Sequence, residues 1–345
     1  MSKPDGNAIC AVLAGMGKPH VVALVALGII IAAFWFVVGR GPSDGVQAPD
    51  RTEQEGTGVV GGPAAPGDST ELDPDARVQG EVVYTPEDVE IFRETMEWAR
   101  QERLDTLEMG EAMVRIGRRF VGDPYTPYLL DPPGPERLVV NLREFDCVTY
   151  VESVLALARV IQAGTPEFDA FTRELERIRY RGGRLDGYES RLHYFSEWIH
   201  DAGEKGLVRD VTAELGGEPE REPINFMSSN AGEYSKLEDN PERVASIRRT
   251  EEAISARPRH VIDQDRIADV ADGIRNGDII AASSSVTGLD IAHTGLALWL
   301  DGRLHLMHAP LVGSSVEISP RSLAARIIRI DGQDGIMVAR PLPVE

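Results

Sequence analysis

The chain has 345 residues, 42% hydrophobic and 27% charged, so it can bury a sizeable core and is not an unstructured polypeptide throughout. Lys and Arg number 36 against 56 Asp and Glu, for a net charge of -20, which leaves no phosphate-neutralising excess for nucleic acid and disfavours an anionic lipid surface. Two cysteines, Cys10 and Cys147, are too few for a disulfide-stapled scaffold or a zinc ribbon.

Residues Val21 to Val38 read VVALVALGIIIAAFWFVV, an apolar run of 18. Such a run predicts a transmembrane signal-anchor over 21–38, because the apolar part of a cleaved signal peptide is usually shorter and no small-residue cleavage site follows Val38. Lys3 and Lys18 precede it, and beyond Arg40 the flank turns acidic. Residues 1–20 are therefore expected in the cytoplasm, with the anchor single-pass in an inner membrane and the bulk of the chain in the periplasm. Residues 39–83 lack aromatics, and Gly41 to Val83 holds nine acids against Arg51 and Arg77, which predicts a disordered, charge-extended tether. One folded domain is then expected over 84–345.

That domain opens on Thr85-Pro86-Glu87-Asp88, an N-cap residue followed by a proline at the first helical position and early acids. Helical patterning continues through Phe120, returns from Asp146 to Ala163, and is signalled again after Thr165-Pro166. Strand signals dominate the last quarter: Gly277 to Ala282, Ile291 to Leu300, Arg303 to Ala309 and Gly335 to Arg340. Helices first and strands later predict an α+β domain with a small antiparallel sheet.

Cys147 sits in FDCVTYVESVLALARV, where Val148, Val151, Leu155 and Ala158 recur at helical spacing and Asp146 can cap. A cysteine in a first helical turn meets the positive end of the helix dipole, which favours thiolate and is a common route to a nucleophile. The plain alternative is a buried cysteine acting as a small hydrophobe.

A nucleophilic cysteine needs a base. Beyond the apolar run the histidines are His193, His200, His260, His293, His305 and His308. Leu300-Asp301-Gly302-Arg303 predicts a two-residue hairpin turn between apolar strands, and extending its register puts Gly295 opposite His308. Side chains alternate faces, so His293 and His308 are expected on one face as diagonal neighbours about 7–8 Å apart between backbones, with His305 on the other. His293 would then be the base and His308 the residue that orients it. The same parity disfavours a metal site built from these histidines. A further stretch, Arg177 to Tyr194, gathers Arg177, Arg179, Arg181, Arg184 and Arg191. It fits either a carboxylate-bearing ligand or a loop paired with local acids.

FDCVTYVE, the upstream FVGDPYTPYLLD, YRGGRLDGYESRLHYFSEWI, LDIAHTGLAL and LHLMHAP together resemble the N-acetylmuramoyl-L-alanine amidase-like family, a branch of the NlpC-type, papain-like cell-wall cysteine hydrolases. The resemblance runs from about Thr85 to Pro343 with its motifs in family order. It implies a papain-like fold and a Cys147–His293–His308 triad with no metal or organic cofactor. Tyr125 is implied beside the nucleophile, with Arg191, His193 and Tyr194 as substrate-wall residues. The substrate implied is peptidoglycan or its muropeptide fragments, cut between N-acetylmuramic acid and L-alanine. The same triad would serve a γ-D-glutamyl to diamino-acid endopeptidase, and a non-enzymatic reading is a peptidoglycan-binding module with a vestigial triad.

Overall fold

The computed structural model of the protein describes Asp73 and residues 75–311 and 315–344. The expected anchor at 21–38 and most of the expected tether lie outside the described residues. Among the described residues no helix is long and apolar enough to cross a membrane.

Helix α1 (Pro86–Gln101) begins as the sequence predicts. The Thr85 side chain accepts from the Asp88 N–H while the Asp88 carboxylate takes the Thr85 N–H at 2.7 Å, a reciprocal capping box. Asp88 is fully buried, and its other oxygen accepts from Leu142 N at 2.8 Å and from the Arg143 guanidinium at 3.2 Å. One carboxylate thus ties the start of α1 to the segment that leads into Cys147. Helix α2 (Met109–Arg119) follows and packs on the central helix α3 (Cys147–Gln162). Helix α3 is buried on every side through most of its length, because α2, α4 (Phe168–Arg179) and the main sheet enclose it.

Two boundaries differ from the expectations. Strands β1 (Arg77–Gln79) and β2 (Val82–Tyr84) pair as a hairpin, and β2 adds β3 (Leu138–Val139) in parallel. The expected tether therefore ends early: Val83 is buried in this three-stranded sheet and Tyr84 packs on Phe168. Helix α4 starts at Phe168, after Glu167, and not on the Thr165-Pro166 signal. Thr165 is engaged in closing α3 instead, with its N–H on Val160 O and Gly164 in the left-handed region.

The main sheet has eight strands, more than the small sheet expected. They are β4 (Val208–Asp210), β5 (Glu218–Glu220), β6 (Arg259–Asp263), β7 (Ile279–Ser284), β8 (Ile291–Leu300), β9 (Arg303–His308), β10 (Glu317–Ile318) and β11 (Gln333–Pro341). They run in the order β10-β9-β8-β7-β11-β6-β5, with β4 also on β11, and every pairing is antiparallel. Alternation sorts the strand residues to two sides. Ile279, Ala281, Leu296 and Met307 join the helical core around α3, while Ile280, Ala282, Ala297 and Leu306 join a second core under the short helix α9 (Leu323–Ile327). Helices α5 (Phe195–Glu204), α6 (Phe226–Ser229), α7 (Pro241–Ser255) and α8 (Ile267–Val270) complete the α+β fold. The start of α7 carries an Asn240-Pro241 cap like that of α1.

Candidate active site

Asp146 builds the start of α3. Its carboxylate accepts from Val148 N at 3.0 Å and Thr149 N at 2.7 Å, and its own N–H donates to the Thr149 hydroxyl at 2.9 Å. Cys147 is therefore the first helical residue, half-buried and free. Its carbonyl accepts from the Thr294 hydroxyl at 2.8 Å, which docks the first turn of α3 on β8 one residue from His293.

The Asp301-Gly302 turn has both residues at positive φ, 50° and 74°, and pairs Leu300 with Arg303, so the register is the one the turn chemistry requires. His293 and His308 meet on one face. Their rings lie 4.9 Å apart at 88°, with His293 Nε2 2.8 Å from His308 Nδ1. His305 points to the other face, its Nδ1 on Ser319 O at 2.8 Å. Thr294 and His293 are successive strand residues, so the hydrogen bond that docks the first turn of α3 on β8 lies one residue from the paired imidazoles. The β8–β9 ladder ends at Leu296–Met307, and the start of α3 meets β8 just past that pair.

Burial controls the electrostatics. It pushes the Cys147 thiol up to about 12, with the Asp146 charge acting in the same direction and hydrogen bonds from Thr294 opposing. Desolvation thus opposes the thiolate that the sequence leads one to expect at this helix start. Burial also drives His293 well below the usual histidine range, assisted by the Arg326 charge, and lowers His308 to about 4. At neutral pH the thiol and both rings are uncharged. Tyr125 lies beside the sulfur: burial raises its hydroxyl and the Cys147 charge raises it further, so it stays protonated.

The remaining residues implied by the resemblance are built into the fold. Arg191 is buried, donating to Leu130 O and pairing with Asp131 and Glu136, so it holds the 130–136 segment. His193 Nε2 bonds Tyr188 O at 2.8 Å. Tyr194 is a core residue rather than a wall: its hydroxyl donates to Glu251 at 2.7 Å and accepts from Met227 N at 2.9 Å. In the arginine-rich stretch, Arg179 pairs with Glu152 and Arg181 with Glu197, while Arg177 reaches Glu174 and the Lys205 carbonyl. Of the five arginines only Arg184 has no such partner among the described residues, which favours the reading as a loop paired with local acids.

Two charged residues close to the imidazoles carried no signal in the sequence. Glu317 pairs with His308 across β9 and β10, with its Oε1 3.5 Å from His308 Nε2. Arg326, on α9, donates to Gln333 Oε1 at 3.1 Å, and its charge acts on both rings and on the thiol. Neither belongs to a recognisable motif, since each reaches the rings through long-range packing.

Residues 115–332 match the profile of the AmiA-like family, described as N-acetylmuramoyl-L-alanine amidase-like. The chain belongs to this AmiA-like family. The family is one of amidase-like peptidoglycan hydrolases, and its matched span contains Tyr125, Cys147, His293, His308, Glu317 and Arg326. Among solved structures, the AmiA-like chain is similar to an N-acetylmuramoyl-L-alanine amidase from Bacteroides uniformis ATCC 8492, with 36% identity, a TM-score of 0.64, and coverage of 68% of this chain and 99% of that one. A Bacteroides fragilis protein described as a candidate xylanase has 38% identity and a TM-score of 0.62 over 65% of this chain and 98% of that one. Protein LPG0564 of Legionella pneumophila shares the fold at 20% identity and a TM-score of 0.55, over 74% of this chain and 95% of that one. No curated protein matches the AmiA-like chain.

Proposed function

We propose that this protein is a cysteine amidase of the NlpC-type, papain-like class that cleaves the amide between N-acetylmuramic acid and L-alanine in peptidoglycan fragments. The observation that carries the reading is the 2.8 Å contact between His293 Nε2 and His308 Nδ1 on the strand that docks the Cys147 turn. His293 Nδ1 has no hydrogen-bond partner among the described residues and serves as the base. Because the thiol and imidazole are neutral at rest, the thiolate forms only as Cys147 passes its proton to His293 Nδ1. The sulfur attacks the lactyl carbonyl carbon, and the oxyanion is held by N–H groups at the start of α3, including that of Cys147. Collapse breaks the C–N bond while His293 returns the proton to the departing L-alanine amine, leaving a thioester. His293 then deprotonates water for attack on the thioester, which releases the muramoyl carboxylate and restores the thiol. His308 holds the His293 ring throughout.

Incubation of the protein with defined muropeptides, followed by mass spectrometry, tests the reading. Release of an intact stem peptide beginning with L-alanine, abolished in Cys147→Ala, is the expected result. Cleavage between D-glutamate and the diamino acid would assign endopeptidase activity instead. Unchanged substrate mass with retained binding in both proteins would leave a binding module. On the sequence evidence, residues 21–38 anchor the catalytic domain on the periplasmic side of the inner membrane. Release into the soluble fraction after alkaline extraction would count against that anchor.

A further inference from the structure

Two imidazoles in series leave a choice of direction. In a neutral pair, either His293 Nε2–H donates to His308 Nδ1 or His308 Nδ1–H donates to His293 Nε2, and the 2.8 Å separation accommodates both. The consequences are opposite. In the first case His293 Nδ1 is an unprotonated base; in the second it carries the proton and cannot accept one from Cys147.

The far nitrogen of His308 bears on this choice. His308 is 1% exposed, and its Nε2 has no hydrogen-bond partner among the described residues. The carboxylate facing it is Glu317, directly across the β9–β10 pair, with Oε1 at 3.5 Å. That is longer than a formed hydrogen bond, and a small rotation of the 39%-exposed Glu317 side chain closes it. The other charged group over the rings is Arg326 from α9, which opposes protonation of either ring, while His293 of β8 completes the surroundings of His308.

We propose that Glu317 is the positioning residue that sets the direction of the histidine relay. Its carboxylate accepts the His308 Nε2–H, which leaves Nδ1 as an acceptor, so His293 donates from Nε2 and presents the Nδ1 lone pair to Cys147. Burial, assisted by the Arg326 charge, keeps the pair uncharged, so the tautomer and not a stored charge is what Glu317 controls. When the thiol proton arrives, His293 becomes the imidazolium and His308 is unchanged. The role in catalysis rests on the Cys147–His293–His308 reading; the tautomer itself does not.

Long-range proton–nitrogen NMR on the full-length chain labelled with 15N-histidine distinguishes protonated from unprotonated ring nitrogens. In the wild type both His293 and His308 are expected as Nε2–H. In Glu317→Ala, His308 is expected to shift toward Nδ1–H and His293 with it. Glu317→Gln, which keeps an acceptor oxygen, is expected to restore most of the wild-type pattern. Turnover in Glu317→Ala is expected to fall roughly ten- to a hundredfold with KM within about twofold, the scale seen when an outer partner that orients a histidine is removed. A wild-type His293 with Nδ1–H, or an Ala-variant spectrum unchanged from the wild type, overturns the proposal whatever happens to turnover. A chain that fails to cleave muropeptides while showing the expected tautomers refutes the amidase reading alone.

Discussion

Gly295 stands against His308 one step past the last pair of the β8–β9 ladder, and a methyl group on its α-carbon would lie 2.8 Å from His308 Cβ and 2.8 Å from Met307 O. The histidine pair depends on this missing side chain, since the two backbones approach too closely for any other residue. Gly295→Ala is expected to push β9 from β8, lengthen the His293–His308 contact, and destabilise the fold by about 1–3 kcal/mol. Denaturant titration and turnover check this together; unchanged values in both would mean that the ladder opens there without penalty.

The acid side of the pH–rate profile follows from the lowered histidines. The unprotonated His293 is the active form, so activity rises with pH through the site's pKa and is complete above it. With His293 held well below 6.5 and His308 at about 4, kcat/KM is expected to stay level through pH 6 and to fall only below about pH 5. The same groups remain neutral in the fold while they charge in the unfolded chain, so their contribution to stability is full above the ordinary histidine range and is lost as pH falls through the lowered values. A profile with its midpoint at the ordinary histidine value would refute the buried, neutral pair.

Alkylation reports on the resting thiol. Burial raises Cys147 to about 12, so labelling by iodoacetamide without substrate is expected to be slow at neutral pH and still climbing above about pH 9, past the ordinary thiol range. Fast labelling in mild acid would indicate a preformed thiolate paired with an imidazolium.

Arg179 and Glu152 form an ion pair at 2.7 Å, each 2% exposed, and Arg179 also donates to Val139 O at 2.6 Å. Neither charge can return to water in the folded state. Arg179→Met is expected to cost about 3–5 kcal/mol by stranding the carboxylate, and adding Glu152→Leu is expected to recover much of that loss. Chemical denaturation of the two variants would decide; a mild effect in the single variant would mean that this arginine is not part of the structural frame.

Short-range chemistry was readable before any fold was known. Thr85 and Asp146 cap their helices because a side-chain oxygen two or three residues away satisfies N–H groups that no helix can satisfy itself. The Asp301-Gly302 turn sets a register, and the two-residue period of a strand carries that register back to His293 and forward to His308. Those rules involve only neighbours in the chain, and so they placed Cys147 at a helix start and His293 beside His308. They could not show that residues 82–84 pair with a strand more than fifty positions later, that Thr165 closes one helix instead of opening the next, or that Tyr194 and Arg191 are buried as supports. Nor could they weigh desolvation against the helix terminus. Whether a sulfur at a helix terminus is a thiolate depends on how far the rest of the molecule desolvates it, and docking of the α3 start on β8 adds burial that raises the Cys147 thiol. Desolvation and partners drawn from distant strands, such as Glu317 for His308, arise only when the chain has closed on itself.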